Sequence, residues 1–193
     1  MNSSFISYLI TDPKYYSNDP KEFRKKLIYT LDASKIQMAC FRDKESNNFE
    51  ELASIFVQTC KDFGIETILI NGNYELASKL DATGVHLTST GFNDILKAKK
   101  KDLYVIISCH NFEEIKKAQY LNANAVTFSP IFDTPNKGEP KGIELLKKAT
   151  SLFDIDIIAL GGIINDTQVK QIKKTNAKGF ASIRYFIPEA KPL

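Results

Sequence analysis

The sequence has little of three things that would mark a membrane or secreted protein: long apolar runs, basic residues at its start, and cysteine. No apolar run approaches the roughly 20 residues that a membrane-spanning helix needs, and MNSSFISYLITDP lacks the basic segment that opens a secretory signal. We therefore expect a cytoplasmic protein with no membrane partner. Cys40, Cys60 and Cys109 are widely spaced and form no CxxC pair, which argues against a disulfide framework and a zinc site and predicts free, buried thiols.

Charge of one sign is also scarce, because the formal net charge of the 193 residues is only +3. The lysines are scattered through helical segments such as Lys97 to Lys101 with no aromatic residues among them. This pattern argues against a nucleic-acid partner. With 43% hydrophobic and 25% charged residues and no break in composition, the chain is expected to form one globular domain over residues 1–193.

Short apolar runs recur along the chain and are separated by helical patterns. Most are apolar throughout, as parallel strands covered on both faces are. The eight runs are FISYLIT, KIQMACF, ETILIN, GVHLTS, LYVIISC, AVTFS, DIIALG and GFASIRYF. Their alternation with seven helical segments predicts an α/β fold, a compact single-domain (β/α)₈ barrel, with an open doubly wound sheet as the alternative. Because only IPEAKPL follows Phe186, the final helix is expected to be short or missing.

The loops that follow the strands of such a barrel form its active site, and cationic residues are frequent in them. The cations at these positions are Arg42, Lys44, Lys137, Lys141 and Arg184. If they converge on one rim they suit a polyanion, and if they do not they are ordinary surface charges. Gly161 and Gly162 precede a helical pattern, so they predict a phosphate-binding turn, with a plain tight turn as the alternative.

We predict different roles for the two histidines. His86 lies inside the fourth strand, where a hydrogen-bonded core group is favoured over a metal ligand. His110 lies at a strand end, where a general acid or base and a structural role at the helix entry are both open. Ser108, Cys109 and His110 are neighbours in sequence but predict no nucleophilic triad, since successive strand side chains point to opposite faces.

Seven short motifs, taken in order, resemble the thiamine phosphate synthase and TenI superfamily over nearly the whole chain. They are FRDK, LING, GVHL, ISCH, FSPIFDTPNKG, IIALGGI and GFASIR. The resemblance implies a (β/α)₈ barrel and a transferase of thiamine biosynthesis. That enzyme joins hydroxymethylpyrimidine diphosphate to thiazole phosphate and releases pyrophosphate. The partners it implies are these two phosphorylated molecules, and it leaves a homodimer open.

The resemblance also implies roles for individual residues. Ser108, beside the departing diphosphate, and Lys137, reaching the diphosphate, are the catalytic candidates. The implied substrate-binding residues are Arg42, Lys44, Asn71, Thr134, Asn136, Gly161, Gly162 and Arg184. The loop from Thr134 to Gly142 is expected to close over the substrates as a lid. Arg184 stands where the family has a small residue, so its charge either adds to the phosphate site or blocks it.

Two departures from the family pattern affect cofactor and reaction. The magnesium ion that the resemblance implies is held by acids whose positions here are Gly72 and Gly91, so we assign no metal ligand. The acid-base histidine of the TenI tautomerases corresponds to Pro130. A TenI-like thiazole tautomerase and a non-catalytic barrel that binds a phosphate ester therefore remain as alternatives to the synthase.

Overall fold

The computed structural model describes residues 5–187, and its centre is a closed parallel barrel. The strands are β1 Ile6–Ile10, β2 Met38–Phe41, β3 Thr67–Asn71, β4 Gly84–Leu87, β5 Tyr104–Cys109, β6 Ala125–Phe128, β7 Asp156–Leu160 and β8 Gly179–Ser182. Each strand pairs with the next, and β8 pairs with β1 through contacts such as Tyr8 with Ala181. The predicted (β/α)₈ barrel is confirmed, and the pairing of β1 with β8 excludes the open sheet.

Seven α-helices connect the strands. They are α1 Pro20–Ala33, α2 Phe49–Asp62, α3 Tyr74–Lys79, α4 Ile95–Lys99, α5 Phe112–Tyr120, α6 Gly142–Leu152 and α7 Asp166–Ile172, with a 3₁₀ turn at Phe92–Asp94 before α4. Side-chain caps fix several helix starts, because Asp19 accepts hydrogen bonds from the amides of Lys21 and Glu22 and Asn165 forms a reciprocal capping box with Gln168. The sequence patterns had indicated all seven helical segments.

The chain after β8 departs from the sequence interpretation in one respect. The run GFASIRYF was read as a strand that ends near Arg184, whereas the strand ends at Ser182 and a 3₁₀ turn, Arg184–Phe186, follows. The cause is local, since the Ser182 hydroxyl accepts a hydrogen bond from the Tyr185 amide at 3.1 Å and so caps the turn. Up to residue 187 this single turn is all that follows β8, as expected for a short final helix. Residues 188–193 lie outside the described range.

Apolar side chains fill two separate layers. Inside the barrel a small cluster is formed by Tyr8, Ile10, Met38, Cys40, Leu69, Ile106, Ala125, Ile158 and Ala181. A larger cluster fills the space between the strands and the helices. There Phe41 of β2 contacts the rings of Phe23, Phe49 and Phe56 at centroid distances of 5.7, 5.1 and 5.7 Å. The side chains of the smaller cluster thus fill the interior of the barrel.

The cysteines agree with the expectation drawn from their spacing. Cys40, Cys60 and Cys109 are free and buried, and burial raises the pKa of the Cys40 thiol to about 12. Within residues 5–187 no helix is both long enough and apolar enough to cross a membrane.

Replacing Phe41 with alanine should lower the free energy of unfolding by about 3 kcal/mol or more, because the fully buried ring joins β2 to α1 and α2 and its loss leaves a cavity. Urea unfolding followed by circular dichroism measures the change. The control is Tyr120→Ala, where a side chain that is 84% exposed is lost and the expected change is below about 0.5 kcal/mol. Equal losses in the two variants would contradict this account of the outer layer.

Candidate active site

A cavity of about 710 Å³ opens at the carboxyl ends of the strands. Its size is typical of a site for small molecules. It is lined by all ten residues to which the family resemblance gave a catalytic or binding role, namely Arg42, Lys44, Asn71, Ser108, Thr134, Asn136, Lys137, Gly161, Gly162 and Arg184. The barrel therefore brings together residues that are up to 142 positions apart in the chain. Their individual roles remain predictions.

Positive charge dominates the cavity wall. Lys14, Arg42, Lys44, Lys137 and Arg184 line it, whereas among residues 5–187 the one carboxylate in its wall is that of Asp12. That carboxylate is already engaged, since Oδ2 lies 2.7 Å from Nη1 of Arg42 and Oδ1 accepts a hydrogen bond from the Lys14 amide at 3.1 Å. Most of the positive charge is thus left uncompensated, as suits a polyanionic ligand.

The sequence analysis predicted the wrong position for one cation and did not name another that lines the cavity. Lys141 was expected on the rim, but its Nζ lies 5.4 Å from the ring centroid of Phe128, which is buried in the outer layer. The prediction for Lys141 is wrong, because its ammonium group is drawn to this aromatic face. Lys14 takes a place in the cavity wall instead. Its position just after β1 was the available signal.

A chain of polar side chains runs from the barrel interior to the cavity floor. The Tyr8 hydroxyl lies 2.8 Å from Nδ1 of His86, and Nε2 of the same ring lies 3.1 Å from Oγ of Ser108. Oγ1 of Thr127 lies 3.3 Å from Nε2 of His86 and donates to Oγ of Ser108 at 3.4 Å. The prediction that His86 is a hydrogen-bonded core group is confirmed. The Tyr8 partner lies inside an apolar run and carried no sequence signal.

Two further polar residues at the mouth are held by hydrogen bonds. Nδ2 of Asn71 donates to the His86 carbonyl at 3.1 Å, which orients the amide at the end of β3. His110 is exposed, and its Nδ1 lies 3.1 Å from the Ser129 carbonyl oxygen. Cys109, between Ser108 and His110, is fully buried in the outer layer. The three side chains therefore form no triad, as predicted.

The glycine turn after β7 supports the loop that follows β6. Gly161 and Gly162 have φ angles of 97° and 69°, a region that favours glycine. A Cβ on Gly161 would lie 2.7 Å from Cα of Pro130, and one on Gly162 would overlap the carbonyl groups of Phe132 and Asp133. Their lack of side chains thus lets the two loops pack backbone against backbone.

The loop between β6 and α6 is fixed at its base and exposed at its tip. The amides of Lys141 and Gly142 donate to the carbonyls of Pro130 and Ile131 at 2.8 and 3.0 Å, which closes the two ends of the loop. Asn136 and Lys137 at its tip are exposed. The base of the loop is thus held by backbone hydrogen bonds, and its exposed tip borders the cavity.

The residues present do not fit a magnesium ion held by the protein. Mg²⁺ prefers oxygen ligands, above all carboxylates, yet the two positions implied for metal-binding acids are Gly72 and Gly91. Both oxygens of Asp12 are occupied by Arg42 and Lys14. Among residues 5–187 no three histidine, cysteine or acidic side chains are grouped so that they could hold a metal ion.

Comparison with known proteins gives a consistent result. The family model described as thiamine monophosphate synthase matches residues 7–186. The chain is 30% identical over 185 residues to the putative thiamine-phosphate synthase 2 of Aquifex aeolicus, covering 93% of this chain and 96% of that protein. It is 30% identical over 197 residues to the thiamine-phosphate synthase of Syntrophomonas wolfei, covering 95% and 88%. The fold is similar to that of thiamine phosphate pyrophosphorylase from Pyrococcus furiosus, with a TM-score of 0.78 at 22% identity over 94% of this chain and 86% of that one.

Replacing Gly162 with alanine should lower the free energy of unfolding by about 3 kcal/mol, because the added methyl group meets the backbone of the β6 loop. Gly138→Ala is the matched control, since Gly138 has a similar φ of 71° with nothing within 4 Å of the added carbon. Only the backbone strain, about 1 kcal/mol, is expected there. Urea titration compares the two variants. Similar losses in both would show that the packing of the two loops is not what requires Gly162.

Proposed function

Because the chain belongs to the thiamine monophosphate synthase family, we propose that it is a transferase that joins hydroxymethylpyrimidine diphosphate to thiazole phosphate and releases pyrophosphate. The observation that carries this proposal is one cavity with anion-binding groups on two sides. Arg42 and Lys44 follow β2, whereas the glycine turn and Arg184 follow β7 and β8. A reaction between two phosphorylated molecules needs two such regions in one cavity.

In the proposed reaction the bond between the pyrimidine methylene carbon and the diphosphate oxygen breaks, and both of its electrons leave with the diphosphate. The lone pair of the thiazole nitrogen then forms the new carbon–nitrogen bond. Arg42, Lys44 and Lys137 would stabilise the negative charge that develops on the leaving group. Closure of the exposed loop tip would exclude water, which would otherwise capture the carbocation.

The remaining wall residues are proposed to hold the two substrates. Asn71 would contact the pyrimidine diphosphate with the amide atoms that its bond to the His86 carbonyl leaves available. Thr134 and the glycine turn would receive the thiazole phosphate, with Arg184 adding charge to that region. Asn136 would contact the substrates from the loop tip when the loop closes.

We propose that positive side chains take the place of a protein-held magnesium ion in this chain. In the part of the chain that the structure describes, five cations line the cavity, and the paired Asp12 is the one carboxylate in its wall. No step of the proposed reaction is therefore assigned to a metal ion. The tautomerase alternative is disfavoured because Pro130 lines the cavity where that reaction would need a histidine.

The direct test is to mix the purified protein with hydroxymethylpyrimidine diphosphate and thiazole phosphate and to measure thiamine phosphate by chromatography. Stoichiometric release of pyrophosphate is expected with it. Isomerisation of a thiazole phosphate without coupling would instead support the tautomerase. Tight binding of both substrates without any product would support a non-catalytic phosphate-ester barrel.

Several expectations from the sequence stay predictions alongside this proposal. They are a single functional domain over residues 1–193, a cytoplasmic location, a homodimer, and the absence of nucleic-acid and membrane partners.

Substitution Lys137→Ala should weaken the binding of inorganic pyrophosphate about tenfold, because a charge-assisted contact to the anion is lost. Lys141→Ala is the matched control: it removes the same charge four residues away, but that ammonium group lies against Phe128 and not in the cavity wall. Its affinity should stay close to that of the unmodified protein. Titration calorimetry at fixed ionic strength measures both. Equal weakening would show that Lys137 contributes only general charge.

Removing magnesium should change pyrophosphate affinity by less than about threefold, since no carboxylate pair is available to hold the ion. Calorimetry in EDTA and in excess Mg²⁺ makes the comparison, with the double variant Gly72→Asp, Gly91→Asp as its counterpart. That variant is expected to gain affinity when Mg²⁺ is added. A gain of about tenfold or more in the unmodified protein would show that it recruits the ion by other ligands.

A further inference from the structure

The polar chain formed by Tyr8, His86, Thr127 and Ser108 is almost entirely enclosed. Tyr8 and Thr127 are fully buried and His86 is 2% exposed. Ser108 is half-buried and lines the cavity. Buried polar groups are almost always hydrogen-bonded. The hydrogen-bond partners inside the barrel therefore determine which atoms of these four side chains carry and donate a hydrogen. Ser108 is the most exposed of the four side chains and connects them to the cavity.

The charge states of the two interior rings are set by burial. Burial lowers the pKa of His86 to about 4, with the positive charge of Arg42 adding to the effect. Burial also raises the pKa of the Tyr8 phenol well above its ordinary value. Near neutral pH a neutral imidazole therefore faces a protonated phenol. A neutral imidazole has one donor nitrogen and one acceptor nitrogen.

Hydrogen-bond satisfaction selects between the two tautomers. If Nδ1 of His86 carried the proton, the Tyr8 hydroxyl hydrogen would have to turn to another group. The Cys40 sulfur is the partner within reach, and it is a weak acceptor. If Nδ1 is the acceptor, the Tyr8 hydroxyl makes a strong bond of 2.8 Å. Nε2 then carries the hydrogen and donates toward Ser108 and Thr127.

The direction of the Ser108 hydrogen follows from this assignment. Its oxygen accepts one bond from Nε2 of His86 at 3.1 Å and another from the Thr127 hydroxyl at 3.4 Å. A hydroxyl oxygen has two acceptor sites, so both are used. The Ser108 hydrogen is then left to point away from these two donors, and the cavity that Ser108 lines offers the space for it.

We propose that Tyr8 and His86 are positioning residues that fix Ser108 as a hydrogen-bond donor, so that it meets an anionic oxygen of the departing diphosphate. The proposal rests on the proposed function for the identity of that anion. The proposal also decides between two chemical roles for the Ser108 hydroxyl, hydrogen-bond donor and nucleophile. Because Nε2 of His86 already carries a hydrogen, the His86 ring cannot take the Ser108 proton, and the hydroxyl acts as a donor and not as a nucleophile.

Histidine NMR on the ligand-free protein tests the first step without reference to activity. Long-range ¹H–¹⁵N correlation at pH 7 distinguishes the two neutral tautomers and the imidazolium. The chain has two histidines, so His110→Gln identifies the His86 signals. The expected result is a neutral ring protonated at Nε2. A ring protonated at Nδ1, or at both nitrogens, overturns the proposal.

A double-mutant cycle with inorganic pyrophosphate tests the second step. Ser108→Ala should weaken binding about tenfold and Tyr8→Phe about fivefold. If Tyr8 acts through His86 on Ser108, the double variant should bind no more weakly than Ser108→Ala alone. Tyr104→Phe removes a hydroxyl from another tyrosine packed against the interior cluster and should leave the affinity unchanged.

Additive losses in this cycle would overturn the proposal, because a merely structural role of Tyr8 would not depend on Ser108. Failure of the proposed function gives a different result. If no thiamine phosphate is formed but the tautomer and the coupling are as expected, Ser108 remains a positioned donor for a phosphate group and only the reaction is wrong.

Discussion

The pairing of β8 with β1 is the constraint on which the rest of the structure depends. Because all strands are parallel and the sheet is closed, every strand ends at the same mouth. Lys14 and Arg184 thereby line one cavity although they lie near opposite ends of the chain. Gathering five cations against one paired carboxylate is costly without a ligand, since like charges repel. Binding of a polyanion in the cavity would reduce this repulsion.

The interior of the barrel links this charged mouth to the packed core. Most interior positions are apolar, and the hydroxyl and imidazole groups that interrupt them are hydrogen-bonded to one another. In so confined a space an unsatisfied polar group would be expensive. Because each buried polar group needs a hydrogen-bond partner, the positions of the hydrogens at the cavity floor are determined. Under the proposed role of Ser108, the same few hydrogen bonds that satisfy the buried groups also orient the side chain that meets the ligand.

Much of this arrangement could be read from the sequence because its causes are local. Apolar runs and helix caps mark the strands and helices, and residues just after a strand must lie at the mouth. The position of the Lys141 ammonium group could not be predicted, because it depends on the ring of Phe128, which only the fold brings beside it. Tyr8 looked like an ordinary core residue, since its partner His86 lies 78 positions away. The end of β8 is marked by a hydrogen bond from the Tyr185 amide to the Ser182 hydroxyl, which the apolar run did not indicate.

The central claim is that one cavity holds two phosphate groups on different sides, without a metal ion held by carboxylates. A crystal structure of the protein with thiamine phosphate and pyrophosphate tests it most directly. The account predicts pyrophosphate density among Arg42, Lys44, Ser108 and Lys137, and the ester phosphate at Gly161, Gly162 and Arg184. Phosphate groups bound elsewhere on the molecule, or a magnesium ion coordinated by protein side chains at the mouth, would contradict it.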